Sequence, residues 1–194
     1  MILDLLRKIT EYTVLMRQGR WERLAGEQLA GKTVGVIGLG QIGRRVAEIL
    51  VQMEAHVIGH DLYPDQGWAQ QHGVAIVDLK QILSSSDILT LHLSSSAQNP
   101  FVLTDQHFRS MKHGAFIVNV SRGVFLDEGA LVKSLQTGHL AGAALDVYAQ
   151  EPYNGPLTGL HNVILTPHVG TLTKQARVQM ELQAVENAIH FLKI

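Results

Sequence analysis

Three side chains in the second half of the chain have the types needed for acid–base chemistry on a small carboxylic acid. They are Arg122 in Asn119-Val-Ser-Arg-Gly123, Glu151 in Asp146-Val-Tyr-Ala-Gln-Glu-Pro152 and His168 in Thr166-Pro-His-Val-Gly170. A guanidinium stays charged at any working pH and can hold a carboxylate through two parallel N–H bonds. An imidazole exchanges a proton near neutrality. A carboxylate hydrogen-bonded to that imidazole would select its tautomer and raise its pKa, keeping the acid form available. The set suits reduction of a 2-oxo acid: hydride adds to the carbonyl carbon, His168 protonates the developing alkoxide, and Arg122 binds the carboxylate. Each residue has a plainer alternative, as a surface arginine, a loop carboxylate before Pro152 and a helix-entry histidine. Their shared placement after apolar segments is what argues for chemistry.

A hydride needs a carrier, and the stretch Lys32-Thr-Val-Gly-Val-Ile-Gly-Leu-Gly-Gln-Ile-Gly43 is built to hold one. Thr33 to Ile37 reads as a buried strand. Gly38, Gly40 and Gly43 then have the G-x-G-x-x-G spacing of a dinucleotide loop, serving the tight turn, close approach of the pyrophosphate and helix packing respectively. The helix from Gln41 to about Met53 would aim its free N–H groups and positive dipole end at the phosphates. Asp61 ends a second strand, eighteen residues beyond Gly43. A carboxylate there accepts from ribose hydroxyls and repels a 2′-phosphate, which favours NAD over NADP.

The remaining elements must carry these residues to one place. Ile2, Leu5, Leu6, Ile9, Thr13 and Met16 recur at helical spacing, so one amphipathic helix is expected over 2–18, ended by Gly19. An ordered loop over Trp21–Ala30 leads into the sheet. After Asp61 come a short helix near Gln66–His72, a strand at Val74–Val77, a helix from Asp78 to about Leu83 and a strand over Asp87–Leu93. Ser94 to Pro100 reads as a flexible loop. Thr104 then caps a helix to about Met111, Ala115–Asn119 is a strand, and Asp127 caps a helix to about Leu135. Strands at Leu140–Leu145 and Asn162–Leu165 precede a last helix over 171–192, with Val178, Leu182, Val185, Ile189 and Leu192 at helical spacing. Alternating strands and helices imply an α/β fold, a doubly wound parallel sheet of Rossmann type, in which ligands sit outside the carboxyl ends of the strands.

Composition narrows the classes. The 194 residues, 46% apolar and 17% charged, suit one globular α/β domain and exclude a disordered chain. A formal charge of −1 without basic runs argues against a nucleic-acid or membrane-surface partner. There is no cysteine, hence no disulfide or thiolate nucleophile. The N-terminus lacks the pattern of a signal peptide, and no apolar run approaches the ~20 residues of a membrane helix, so a cytoplasmic protein is expected. The histidines show no metal-ligand spacing, so no metal is expected.

The whole chain resembles the NAD-binding domain of the D-isomer-specific 2-hydroxyacid dehydrogenase family, which includes phosphoglycerate dehydrogenase-like enzymes. The resemblance rests on Gly38-Leu-Gly-Gln-Ile-Gly43, Met111-Lys-His-Gly-Ala-Phe-Ile-Val-Asn-Val-Ser-Arg-Gly123, Ala144-Leu-Asp-Val-Tyr148 with Glu151-Pro152, and Thr166-Pro-His168. It implies that Arg122, Glu151 and His168 match the family's catalytic arginine, glutamate and histidine. It also implies that Gln41 and Ile42 meet the pyrophosphate, Asp61 the ribose and Leu93 the adenosine side. Val120, Ser121, Asp146, His168 and Gly170 would line the nicotinamide end. Glu151 separates the chain from the formate dehydrogenase branch, which carries an amide there. Ser94-Ser-Ser departs from the family's usual proline-containing loop, and Gly170-Thr-Leu-Thr173 from its glycine- or alanine-rich version.

In this family a second, substrate-binding domain closes over the site. It is formed mainly from sequence before the linking helix, at which this chain begins, so the resemblance implies that this domain is absent from 1–194. Two functions follow: the NAD-binding and catalytic domain of an enzyme interconverting 2-hydroxy and 2-oxo acids, or an NAD(H)-binding regulatory module without turnover in isolation. By resemblance alone, a homodimer is expected.

Overall fold

The computed structural model describes residues 1–94 and 101–192. Six strands alternate with α-helices along the chain, and a seventh completes a parallel sheet. The strands are β1 (Thr33–Ile37), β2 (His56–His60), β3 (Ala75–Ile76), β4 (Ile88–Leu91), β5 (Ala115–Asn119), β6 (Leu140–Leu145) and β7 (Val163–Leu165). They pair in the order β3-β2-β1-β4-β5-β6-β7, all parallel. The order reverses between β1 and β4, and that crevice is where such sheets take ligands.

The helices are α1 (Ile2–Arg7), α2 (Ile9–Arg17), α3 (Gln41–Gln52), α4 (Gln66–Gln71), α5 (Leu79–Ser85), α6 (Asp105–Ser110), α7 (Glu128–Gln136) and α8 (Lys174–Leu192). Two apolar clusters cover the two faces of the sheet. Val34, Val36, Val57, Ala47 and Leu50 belong to one, with Leu5 and Leu6 of α1; Ile37, Leu89, Leu91, Ile82, Phe108 and Leu131 belong to the other. The period-two alternation of β1 sends Val34 and Val36 to one face and Ile37 to the other. Gly35 faces α5, where a Cβ would come within 2.2 Å of Ser86 Oγ.

The single helix expected over 2–18 is two. Lys8 adopts a left-handed conformation (φ 53°), closing α1 and opening α2. Asp4 stabilises the break by accepting the Thr10 N–H at 2.8 Å and the Thr10 hydroxyl at 2.7 Å. Of the apolar residues at helical spacing, Leu5 and Leu6 are buried while Ile9 and Met16 are exposed; Leu15, outside that spacing, is buried. The last helix begins at Lys174 rather than 171, because Thr173 accepts the Ala176 N–H at 3.0 Å and caps it. No residue of α8 is buried; Val178, Leu182, Val185 and Ile189 form an apolar stripe with nothing packed on it among the described residues. The loop expected over Ser94–Pro100 falls, apart from Ser94, outside the described residues.

Candidate active site at the carboxyl ends of the strands

Because every strand is parallel, the segments that follow β1, β2, β4, β5, β6 and β7 all emerge on the same edge of the sheet. That places the dinucleotide turn and the three acid–base residues on one side of the molecule.

The turn after β1 is tightly determined. Gly38 has φ +93° and sits where a Cβ would meet the His92 carbonyl oxygen at 2.5 Å. A Cβ on Gly43 would lie 1.9 Å from the Gly38 oxygen, so α3 can approach the turn only through glycine. A Cβ on Gly40 meets nothing within 4 Å. That open space, at the N-terminus of a twelve-residue helix, fits a pyrophosphate. Gln41 and Ile42 are exposed in the first turn of α3, and Ile42 is 70% accessible despite its apolar side chain. Leu93 follows β4, its backbone nitrogen beside Gly38. Asp61 accepts the Leu39 N–H through Oδ2 at 2.7 Å and the Tyr63 N–H through Oδ1 at 2.9 Å. Each oxygen keeps a lone pair for a further donor.

Glu151 and His168 meet. His168 Nδ1 lies 2.9 Å from Glu151 Oε2, and Glu151 Oε1 accepts the Tyr148 N–H at 3.1 Å. The His168 hydrogen bond, followed by the Tyr148 N–H, holds the Glu151 carboxyl below its usual range. His168 itself has φ 54°, a left-handed conformation uncommon for a non-glycine residue. Asp146 holds the segment that carries it: this buried carboxylate accepts the Val169 N–H (2.9 Å), the Gly170 N–H (2.9 Å) and the Thr166 hydroxyl, bracing the chain on both sides of His168.

Arg122 is exposed and donates from Nη1 to the Ser121 carbonyl at 2.7 Å; it pairs with no carboxylate among the described residues. Ser121 is buried and Val120 partly exposed beside it. The turn that carries Arg122 is organised by Asn119, a fully buried side chain missing from the sequence-derived set. Its Nδ2 donates to the Arg122 carbonyl (2.8 Å), and its Oδ1 accepts the Ser121 N–H (3.1 Å) and hydroxyl (2.8 Å). A buried amide ending an apolar strand just before Ser-Arg was the signal available. Gly123 brings this turn against the next one, since a Cβ there would fall 1.9 Å from the Tyr148 carbonyl carbon.

Tyr148 joins the site only in the folded chain. Its hydroxyl donates to the Thr166 carbonyl (3.0 Å) and its ring stacks on Tyr153 at 4.3 Å, tying the Glu151 segment to the His168 segment. Burial raises the Tyr148 phenol; for Tyr153, burial and then the hydrogen bond to Glu128 push it up to about 12, so both remain neutral donors. Tyr148, Glu151, Tyr153, Leu165, Pro167 and His168 are among the residues lining a cavity of ≈ 640 Å³.

Residues 1–170 match the family profile described as the NAD-binding domain of D-isomer-specific 2-hydroxyacid dehydrogenases. The chain belongs to that family. Over 96% of its length it is 37% identical to a D-3-phosphoglycerate dehydrogenase of Archaeoglobus fulgidus, covering 36% of that protein. Over 98% it is 37% identical to a glyoxylate reductase of Aeropyrum pernix, covering 60% of it. Among solved structures, the apo-structure of D-lactate dehydrogenase from Escherichia coli superposes with a TM-score of 0.89 at 32% identity, over 99% of this chain and 62% of that one. The chain thus spans between about a third and two thirds of the length of these relatives. NAD is the cofactor of the family, and the glycine turn, the open position at Gly40 and Asp61 are the features of this 2-hydroxyacid dehydrogenase domain that fit it.

Proposed function

We propose that this domain performs the chemical step of a D-2-hydroxyacid dehydrogenase, interconverting a small 2-hydroxy acid and its 2-oxo acid. The observation that carries the proposal is the 2.9 Å contact of His168 Nδ1 with Glu151, on the same sheet edge as the glycine turn. With NAD(H) bound, the nicotinamide ring supplies or accepts the hydride. Because Glu151 occupies Nδ1, His168 Nε2 is the atom that exchanges a proton with the substrate oxygen. Arg122, paired with no carboxylate among the described residues, binds the substrate carboxylate and stabilises charge next to the reacting carbonyl. Gln41 and Ile42 contact the pyrophosphate, Asp61 the ribose and Leu93 the adenosine side; Val120, Ser121, Asp146 and Gly170 line the nicotinamide end. A second domain of the kind the family resemblance implies would close this open edge and exclude water.

We further propose a cytoplasmic homodimer. No helix among the described residues is long and apolar enough to cross a membrane, and Ile9, Val14, Met16 and Trp21 expose an apolar surface on and after α2 that a second copy would cover.

A second reading is an NAD(H)-binding module whose occupancy controls association with a partner. The uncovered stripe of α8 favours it. NADH oxidation by the purified protein with a panel of small 2-oxo acids, and NADH fluorescence in the same cuvette, separates the two. Turnover abolished by Arg122→Met or His168→Gln supports the enzyme. Bound NADH without turnover for any acid supports the binding module.

A further inference from the structure

The two peptide groups flanking Leu39, in the middle of the glycine turn, are each held by an ionised side chain. The Leu39 N–H donates to Asp61 Oδ2 at 2.7 Å, and the Leu39 carbonyl accepts from Arg44 Nε at 2.9 Å. In a trans peptide the carbonyl and the next N–H point in opposite directions. Turning the Gly38–Leu39 peptide toward Asp61 therefore sends the Gly38 oxygen the other way, against Gly43. Turning the Leu39 carbonyl toward Arg44 likewise sends the Gly40 N–H away from Arg44, and that N–H takes no backbone partner among the described residues; a Cβ on Gly40 would meet nothing within 4 Å, so the turn is open at this residue.

Arg44 is anchored for this task. Its Nη1 donates to Asp65 Oδ2 at 3.1 Å, and its guanidinium lies over the Trp68 ring at 5.0 Å. Asp65 in turn caps α4 by accepting the Trp68 N–H at 3.0 Å. The charge of Arg44 is thus already matched by a carboxylate and its face by an indole.

We propose that Arg44 is a positioning residue of the dinucleotide site: it fixes the Leu39–Gly40 peptide so that the Gly40 N–H faces the pyrophosphate, and its guanidinium does not touch the phosphates. The proposal rests on NAD binding at this turn. The side chain acts through Nε and a planar fork, which an ammonium does not reproduce.

The test is NADH affinity, followed by fluorescence across a range of ionic strength, for the unsubstituted protein, Arg44→Met and Arg44→Lys. Both variants are expected to weaken binding about tenfold, the loss of one charge-assisted hydrogen bond, with the salt dependence of the unsubstituted protein retained. Affinity within twofold of the unsubstituted protein overturns the proposal. So does a flattened salt dependence in Arg44→Met with recovery in Arg44→Lys, because that marks a direct phosphate contact. Should Arg44→Met fail to fold, Asp65→Asn keeps the α4 cap and releases the arginine. A two- to threefold weaker Kd with unchanged salt dependence then supports the proposal, and an unchanged Kd overturns it. An unsubstituted protein that does not bind NADH would overturn the cofactor reading itself.

Discussion

His168 Nδ1 is bound to Glu151 Oε2 at 2.9 Å across seventeen residues of chain, while the opposite oxygen of the same carboxylate is held by the Tyr148 N–H at 3.1 Å. The imidazole is therefore oriented by a carboxylate that is itself oriented, which is how a proton donor keeps one ring nitrogen directed at its substrate. Replacing His168 with Gln should lower kcat for 2-oxo acid reduction by ~10²–10⁴, the usual contribution of a general acid, and change NADH affinity far less, because most of the cofactor contacts lie elsewhere. Replacing Glu151 with Gln should cost ~10² in kcat through misalignment of the ring. Steady-state kinetics with fluorescence titration of NADH decides both. Equal losses in turnover and NADH affinity would refute this assignment.

Asp146 supports three donors with two oxygens, so its removal strands the Val169 and Gly170 N–H groups and the Thr166 hydroxyl. Asp146→Ala should destabilise the fold by about 2–4 kcal/mol, measurable as a lower urea midpoint. A midpoint equal to that of the unsubstituted protein would show that the strap contributes nothing.

Gly43→Ala places a methyl carbon 1.9 Å from the Gly38 oxygen. Backbone cannot yield as a side-chain tip can, so the turn must open. The expected results are NADH affinity at least tenfold weaker and a stability loss of about 1–3 kcal/mol. Isothermal titration at matched protein integrity checks the first; tight binding would mean the turn relaxes freely.

Burial pushes the His92 imidazole from 6.5 down to about 4. Between those values the unfolded chain binds a proton that the native chain refuses, so stability rises with pH across this window and is lost as pH falls through it. The total is about 3 kcal/mol. The depressed carboxyls of Glu48, Asp65, Asp87 and Glu151 add a loss of the same sign that begins in the ordinary carboxyl range and is completed below it. Urea unfolding at pH 7 and pH 4.5 should show most of the decrease, and His92→Gln should remove it. A decrease of the same size in the variant would assign it to other groups.

Local patterning made much of this protein legible from its sequence. The strands Thr33–Ile37, Ala115–Asn119 and Leu140–Leu145, the caps at Thr104 and Asp127 and the glycine turn all lie where propensity, period and capping put them, because each depends on residues within a few positions. The same locality explains the failure at 2–18. Helical spacing of apolar residues does not register that Asp4 and Thr10 bond to each other and that Lys8 turns left-handed between them. Tertiary structure alone decided how the motifs meet. Glu151 with His168, Asp146 with Val169 and Gly170, and Gly123 against Tyr148 are contacts between separate strand ends. They follow from the parallel register of β5, β6 and β7, and no periodicity within one segment encodes the register of another. Asn119 and Arg44 belong to the same class. Their types are ordinary in sequence, and their roles arise only when a buried amide closes on the Arg122 carbonyl and a guanidinium on that of Leu39.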